Sequence, residues 1–140
     1  MALTADKVRA TKGDALSFPA PVEGAARIYV GSLITLSASG HAQPATDAAG
    51  ASCIGVACIG VDNTSGADAA ADVTIDRAHL EWFPSTGLTQ AQVGGNVVLV
   101  DDEVVTDAAG ATNDVKVGTL LALDGSSALV HVGIFSDTDA

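Results

Sequence analysis

Alternation of apolar and polar residues predicts strands along most of the chain. The segment Asp72 to Asp76 alternates strictly and places Val73 and Ile75 on one face, as expected of a half-buried strand. The run from Cys53 to Val61 is continuously apolar, which is typical of a strand that is buried on both faces. These periods predict an all-β chain.

Turn signals divide the chain into short strands of this kind. The sequence Asp-Gly-Ser-Ser at 124–127 separates two apolar stretches, 115–123 and 128–135, and predicts a β-hairpin. About eight or nine short strands with turns every 8–12 residues or so predict a β-sandwich or jelly roll. We expect this single domain to cover residues 27–140.

The first 26 residues follow neither a helical nor a strand period for long. Pro19 and Pro21 restrict the residues before them to extended conformations. The sequence therefore predicts an extended N-terminal arm over residues 1–26, laid over another surface.

The only tryptophan lies in the segment from His79 to Phe83, where Leu80 and Trp82 share one face. A single tryptophan in an aromatic-poor chain is expected to dominate the pocket that it fills. The sequence therefore predicts that Trp82 is buried and anchors the core.

One hexapeptide occurs twice. Thr-Asp-Ala-Ala-Gly-Ala at 46–51 recurs at 106–111, and each copy precedes an aliphatic-glycine step, Ile54-Gly55 or Val117-Gly118. The repeat indicates two copies of one hairpin unit, although an alanine-rich chain also produces such matches by chance.

The charge distribution excludes several kinds of partner. The net charge is −11, and such a surface repels nucleic-acid backbones and anionic lipid. Residues 1–27 hold four basic and three acidic residues, a net charge of +1, whereas the remainder has only Arg77 and Lys116 against 14 acidic residues. The sequence thus predicts an acidic body with a locally basic arm, and no nucleic-acid or membrane partner.

The residue types that carry chemistry do not form a known catalytic pattern. The three histidines lie outside nucleophile-elbow and Cys-His contexts. His79 and Glu81, with Asp76 nearby, are two candidate metal ligands, but a metal site needs three or four. Cys53 and Cys58 are expected to be free, buried thiols on opposite sides of a sheet. We therefore predict a protein that is not an enzyme and needs no cofactor.

The N-terminus lacks the apolar stretch of a secretory signal. The longest apolar run, 51–61, is about half the length needed to span a membrane. We expect the protein to be made in a cytoplasm and not to be exported from it.

The segment from Gly87 to Val132 has a distinctive order of motifs: Leu88-Thr89 followed by Val93-Gly94, a valine-rich stretch, the pair Asp101-Asp102, and a later Val117-Gly118 before a closing hairpin. In this order and spacing the segment resembles the capsid cement (decoration) proteins of tailed bacteriophages. The resemblance covers about the last third of the chain well and extends more loosely backward.

This resemblance implies a β-sandwich or jelly-roll body that forms dimers or trimers on the outside of an icosahedral shell in the virion. There it would brace joints between major capsid protein subunits, with an extended arm as one contact. The arm residues expected to contact the capsid are Leu3, Lys7, Val8, Arg9, Lys12, Leu16 and Phe18. The residues expected to mediate self-association, in the apolar C-terminal strands, are Leu120, Val130, Val132 and Ile134.

Two other classes remain as alternatives. One is a receptor- or carbohydrate-binding β module of a phage tail or fibre, for which Trp82, Phe83 and Tyr29 are the available aromatic residues. The other is a small β-barrel hydrolase, for which the sequence lacks a serine or cysteine beside a histidine in a recognisable motif.

Overall fold

The structure, a computed structural model, describes residues 17–133, and nearly all of its regular elements are strands. The twelve strands are β1 (Ser17–Pro21), β2 (Arg27–Ile28), β3 (Leu33–Leu36), β4 (Ala42–Pro44), β5 (Cys53–Ala57), β6 (Val61–Asp62), β7 (Asp72–Asp76), β8 (Leu80–Thr86), β9 (Asn96–Leu99), β10 (Val105–Thr106), β11 (Lys116–Asp124) and β12 (Ser127–Val132). Two 3-10 helices lie at Gln90–Gln92 and Ala108–Gly110. The all-β prediction is confirmed.

The strands form two units with the same topology. In the first unit the order across the sheet is β1-β7-β5-β3-β4. In the second unit the order from β8 is β8-β12-β11-β9-β10, and β10 pairs with β8 to close a barrel. That closing pair is parallel, and a parallel bridge between Val22 and Ala42 joins the corresponding ends of the first unit. Each strand of the first unit's sheet therefore has a counterpart in the second unit, at the same place in both chain order and sheet order.

The repeated sequence features occupy corresponding places in the two units. The first hexapeptide lies between β4 and β5, and the second lies at the end of β10 and before β11. Gly55 in β5 adopts φ = +145°, and a Cβ there would collide with the backbone carbonyl of Asp76. A Cβ at Gly118 in β11 would collide with the carbonyl of His131 in the same way. Each central strand thus needs a glycine where its neighbour crosses closely.

The interior consists of two apolar clusters. The first unit contributes a cluster of Ala20, Val22, Ile28, Ile34, Ala42, Ala57, Val61, Val73 and Ile75. The barrel of the second unit is filled by Phe83, Val97, Leu99, Val105, Val115, Val117, Leu120, Ala128, Val130 and Val132, together with Leu33, Ala45, Cys53 and Val56 from the first unit. Strands β3 and β5 therefore supply both clusters, which explains why the apolar run starting at Cys53 lacks a polar face.

A polar contact also joins the units. The Asp47 carboxylate accepts hydrogen bonds from the backbone N–H of Thr112 (2.7 Å) and of Asn113 (2.9 Å). The Asn113 side chain donates to the Asp47 carbonyl at 2.9 Å. Donation by Thr112 is the main cause of a pKa for the Asp47 carboxyl below its ordinary value. The first hexapeptide is thereby fixed to the loop that follows the second.

The structure differs from the predicted jelly roll of eight or nine strands. Its twelve strands pair as a five-stranded sheet, a closed barrel and a two-stranded ribbon of β2 and β6. Strands such as β2, β6 and β10 have two residues each, too few to show alternation in the sequence. The closing parallel pair uses one of these short strands, so closure of the barrel has no clear sequence signal.

The boundary between arm and body also needs correction. Residues 17–21 form β1, which pairs with β7, and Ala20 is buried. The Val22 N–H donates to the Ala71 carbonyl, so alternate N–H groups at Pro19 and Pro21 would face away from β7. Proline is tolerated in an edge strand for this reason. Residues 1–16 of the predicted arm lie outside the described residues.

Candidate protein-binding surfaces

The outer side of β8, β12 and β11 carries a row of apolar side chains. Leu129 in β12 lies opposite Trp82 of β8 and opposite Ala122 of β11. A β-bulge after Leu120 leaves Leu121 exposed beside this row. We call the following six residues the outer apolar face: Leu80, Trp82, Pro84, Leu121, Ala122 and Leu129.

The outer apolar face is open to solvent, and His131, which lies opposite Leu80, borders it at one end. Leu80 is 55% exposed, Trp82 is 50% exposed and Leu121 is 40% exposed. None of its six members is ionisable, in a chain whose net charge is −11. Contiguous exposed apolar surface of this kind usually marks a place of contact with another macromolecule.

The predicted burial of Trp82 is wrong, because β8 has the opposite orientation. Phe83 points inward, is 3% exposed and belongs to the barrel cluster. Strand alternation then turns Leu80 and Trp82 outward. A one-residue change of register exchanges the two faces, and the segment has aromatic residues on both.

The predicted self-association residues do not form a surface either. Leu120, Val130 and Val132 are each 0% exposed, inside the chain's own barrel. A two-sheet interpretation left these side chains without a cover, whereas barrel closure covers them within one chain. Ile134 lies outside the described residues.

A second apolar surface lies on the first unit, where the ribbon of β2 and β6 ends. Tyr29 is 63% exposed, Val30 69% and Ile59 45%; we call these three residues the ribbon tip. The Arg27 guanidinium stacks on the Tyr29 ring, 4.8 Å from its centroid, and pairs with Asp62 at 3.2 Å. The base of the ribbon is thus held by polar contacts while its tip presents apolar groups.

Acidic groups border the ribbon tip. A cavity of about 280 Å³ lies among residues 29–32 and the side chains of Asp102 and Glu103. Ser32 Oγ donates to the Asp102 carboxylate at 3.0 Å, and the Leu33 N–H donates to the Asp102 carbonyl at 2.8 Å. This surface therefore suits a partner with an apolar anchor and a neighbouring cation.

Among the predicted arm contacts, the structure describes only Phe18. It lies in β1, is partly buried and packs on the core of the first unit, so it is part of the body and not of a free arm. The others lie outside the described residues: Leu3, Lys7, Val8, Arg9, Lys12 and Leu16.

The two candidate metal ligands meet as a pair. His79 Nε2 and Glu81 Oε2 are 2.8 Å apart. Between residues 17 and 133 no group of three or more His, Cys, Asp or Glu side chains is placed to hold a metal ion. Nor does any helix in this part of the chain have the length and apolar character needed to cross a membrane.

The two cysteines are free and differ in exposure. Cys53 is buried, and burial raises the pKa of its thiol. Cys58 is exposed, which corrects the expectation of two buried thiols, and its Sγ lies 3.2 Å from the Thr74 carbonyl oxygen. Partial desolvation, followed by the Asp76 carboxylate, raises the pKa of the Cys58 thiol.

No protein-family model matches the chain, and no curated protein matches it.

Proposed function

We propose that this chain is a cement protein of the outer capsid surface of a tailed bacteriophage. In this proposal it is made in the host cytoplasm, binds the major capsid protein and further copies of itself, and braces joints between capsid subunits. The observation that carries the proposal is the presence of two exposed apolar surfaces, one on each unit. A protein that braces a joint needs at least two contacts, and the outer apolar face and the ribbon tip supply them.

The two surfaces suit different partners. Copies of a chain with a net charge of −11 repel one another, and the uncharged outer apolar face is where two copies approach at least cost. Trp82 at its centre is the residue type most enriched among energetically dominant interface positions. We therefore assign the outer apolar face to self-association.

We assign the ribbon tip to the capsid. Its apolar groups lie beside Asp102 and Glu103, so the matching capsid surface would be apolar with a basic rim. Residues 1–16, which include Lys7, Arg9 and Lys12, remain a proposed further contact with the shell.

The residues behind the family resemblance have structural roles that support its use. The Gln92 side chain accepts from the Thr89 N–H at 2.7 Å and so closes the turn before β9. The Asp101 carboxylate accepts from the N–H groups of Glu103 and Val104 at 2.8 and 2.9 Å. Gly118 permits the close crossing of β12. In this chain these positions close two turns and permit one close strand crossing.

The direct test adds purified chain to phage shells that lack their cement protein. We expect saturable, stoichiometric decoration and shells that resist heat or mechanical load better. An absence of saturable binding to any such shell would overturn the proposal.

Three single substitutions separate the two contacts. Trp82→Ser should yield monomers in sedimentation, whereas Val30→Ser should keep self-association and lower shell binding. Val100→Ser is the matched control, since Val100 is 38% exposed and belongs to neither surface. If the control and Trp82→Ser sediment alike, the assignment of the outer apolar face is wrong.

Deletion of residues 2–16 tests the arm without removing β1, which starts at Ser17. We expect a folded body by circular dichroism and weaker attachment to shells. Unchanged attachment would place the whole shell contact on the body.

The alternative of a carbohydrate- or receptor-binding module gains support from one observation. Trp82 and Tyr29 are both at least half exposed, and exposed aromatic rings stack on sugars. Saturable binding to a glycan array that Trp82→Ser abolishes, together with no binding to shells, would favour this alternative.

A further inference from the structure

The cations of the acidic body converge on one cavity. Among residues 28–133 the only lysine and arginine are Arg77, just after β7, and Lys116, at the start of β11. Both line a cavity of about 360 Å³, together with residues 51–54 and Asp114. The cavity lies at the junction of the two units, because β7 belongs to the first and β11 to the second.

The Arg77 side chain is held in place by packing. Gly133 lies so close to its stem that a Cβ there would collide with it. The side chain of the adjacent Asp76 contacts Cys58. Within residues 17–133, no hydrogen bond or ion pair engages the guanidinium group. A partly buried arginine with a fixed stem presents its planar donors at little further entropic cost.

We propose that this cavity binds one carboxylate group of a neighbouring polypeptide. The Arg77 guanidinium carries one positive charge, which a single carboxylate balances and a phosphate dianion exceeds. Arginine donates two parallel hydrogen bonds to a carboxylate. The surrounding body, with its excess of acidic residues, repels a polyanion but admits a single negative side chain at this cationic cavity.

The identity of the neighbour rests on the proposed function. On a capsid, an acidic side chain of the shell would enter the cavity and fix the orientation of the bound protein. The site's affinity for carboxylate can be tested without shells, so the two ideas can fail separately.

The first experiment titrates isotope-labelled full-length chain with sodium acetate at constant ionic strength, using NMR. We expect saturable shifts of the Arg77 Nε–H and of the backbone amides of Ser52 and Lys116. Arg77→Gln should weaken acetate binding about tenfold, the loss of one charge-assisted contact. Arg27→Gln is the matched control, since it removes the same charge from the ribbon, and acetate binding should not change.

Inorganic phosphate is the second probe in the same titration. Tighter binding of phosphate than of acetate, or equal shifts with sodium chloride alone, would overturn the assignment to a carboxylate. Deletion of residues 136–140 removes the chain's own Asp137 and Asp139. Tighter acetate binding after this deletion would make the occupant internal and overturn the proposal of a neighbour.

The second experiment measures decoration of shells by Arg77→Gln and by the unmodified chain. We expect Arg77→Gln to lower affinity for shells about tenfold relative to the unmodified chain. If the cavity binds acetate but Arg77→Gln does not lower the affinity for shells, the cavity is a carboxylate site, and the proposal that a neighbouring polypeptide fills it is refuted. If the unmodified chain does not bind shells, the proposed function fails, and the acetate titration still decides the chemistry of the cavity.

Discussion

Asp47 accepts a hydrogen bond from the backbone N–H of Thr112, at 2.7 Å, across the boundary between the two units. Because this bond favours the charged carboxylate, the pKa of Asp47 lies below its ordinary value of 3.8. A lowered pKa in the folded state stabilises the fold above the unfolded pKa, and this contribution is lost as pH falls through the folded pKa.

Asp47→Ala should therefore destabilise the protein at neutral pH and have a smaller effect in acid. Solvent reaches this carboxylate, so we expect a loss on the order of 1 kcal/mol or less. Urea unfolding at pH 7 and near pH 3 measures the difference. Asp124→Asn at the exposed hairpin is the control, because it removes a charge without breaking this contact. It should lower the free energy of unfolding less than Asp47→Ala does. Equal losses for Asp47→Ala at both pH values would contradict the assigned role.

Phe83 and Trp82 are adjacent in sequence and should respond oppositely to truncation. Phe83→Ala removes a ring from the barrel core and should cost about 3–5 kcal/mol. Trp82→Ala removes an exposed ring and should cost less than about 1 kcal/mol. Denaturant unfolding measures both. The native monomer should also show red-shifted tryptophan fluorescence, and a blue-shifted maximum that persists on dilution to monomer would contradict the outward orientation.

The thiols should react unequally. In the native protein a thiol reagent should modify Cys58 alone, and in denaturant it should modify Cys53 as well. Because the pKa of Cys58 is raised and the thiolate is the reactive form, modification should be slower near neutral pH than for a free cysteine and should accelerate in alkali. Cys58→Ser should abolish native labelling. Labelling of two thiols per folded chain would show that Cys53 is accessible.

Gly118 should not tolerate a side chain. Gly118→Ala places a methyl group against the His131 carbonyl and should cost about 1–3 kcal/mol through overpacking. Gly55→Ala should behave alike, with added strain from its positive φ. Gly60→Ala is the control, because the nearest atom to its new Cβ is 3.6 Å away. Similar thermal stability of Gly118→Ala and Gly60→Ala would argue against the close crossing.

Strand periods predicted much of the fold and little of its surface. The alternation at 72–76 and the turn after Asp124 correspond to β7 and to the hairpin of β11 and β12. The orientation of β8 could not be predicted from its period, because both faces of that strand carry aromatic residues. Burial of Val130 and Val132 depends on barrel closure by a two-residue strand, which is a nonlocal event. The cavity at Arg77 likewise arises from strands far apart in sequence, so no local period predicts it.

Four side chains of the first unit, Leu33, Ala45, Cys53 and Val56, lie in the apolar cluster that fills the barrel of the second. Neither repeat can then lose its structure alone, because separation would expose the shared interior of both to water. The chain should melt in one cooperative transition, and each half expressed alone should remain unfolded. Tandem repetition of topology has here produced a single folding unit.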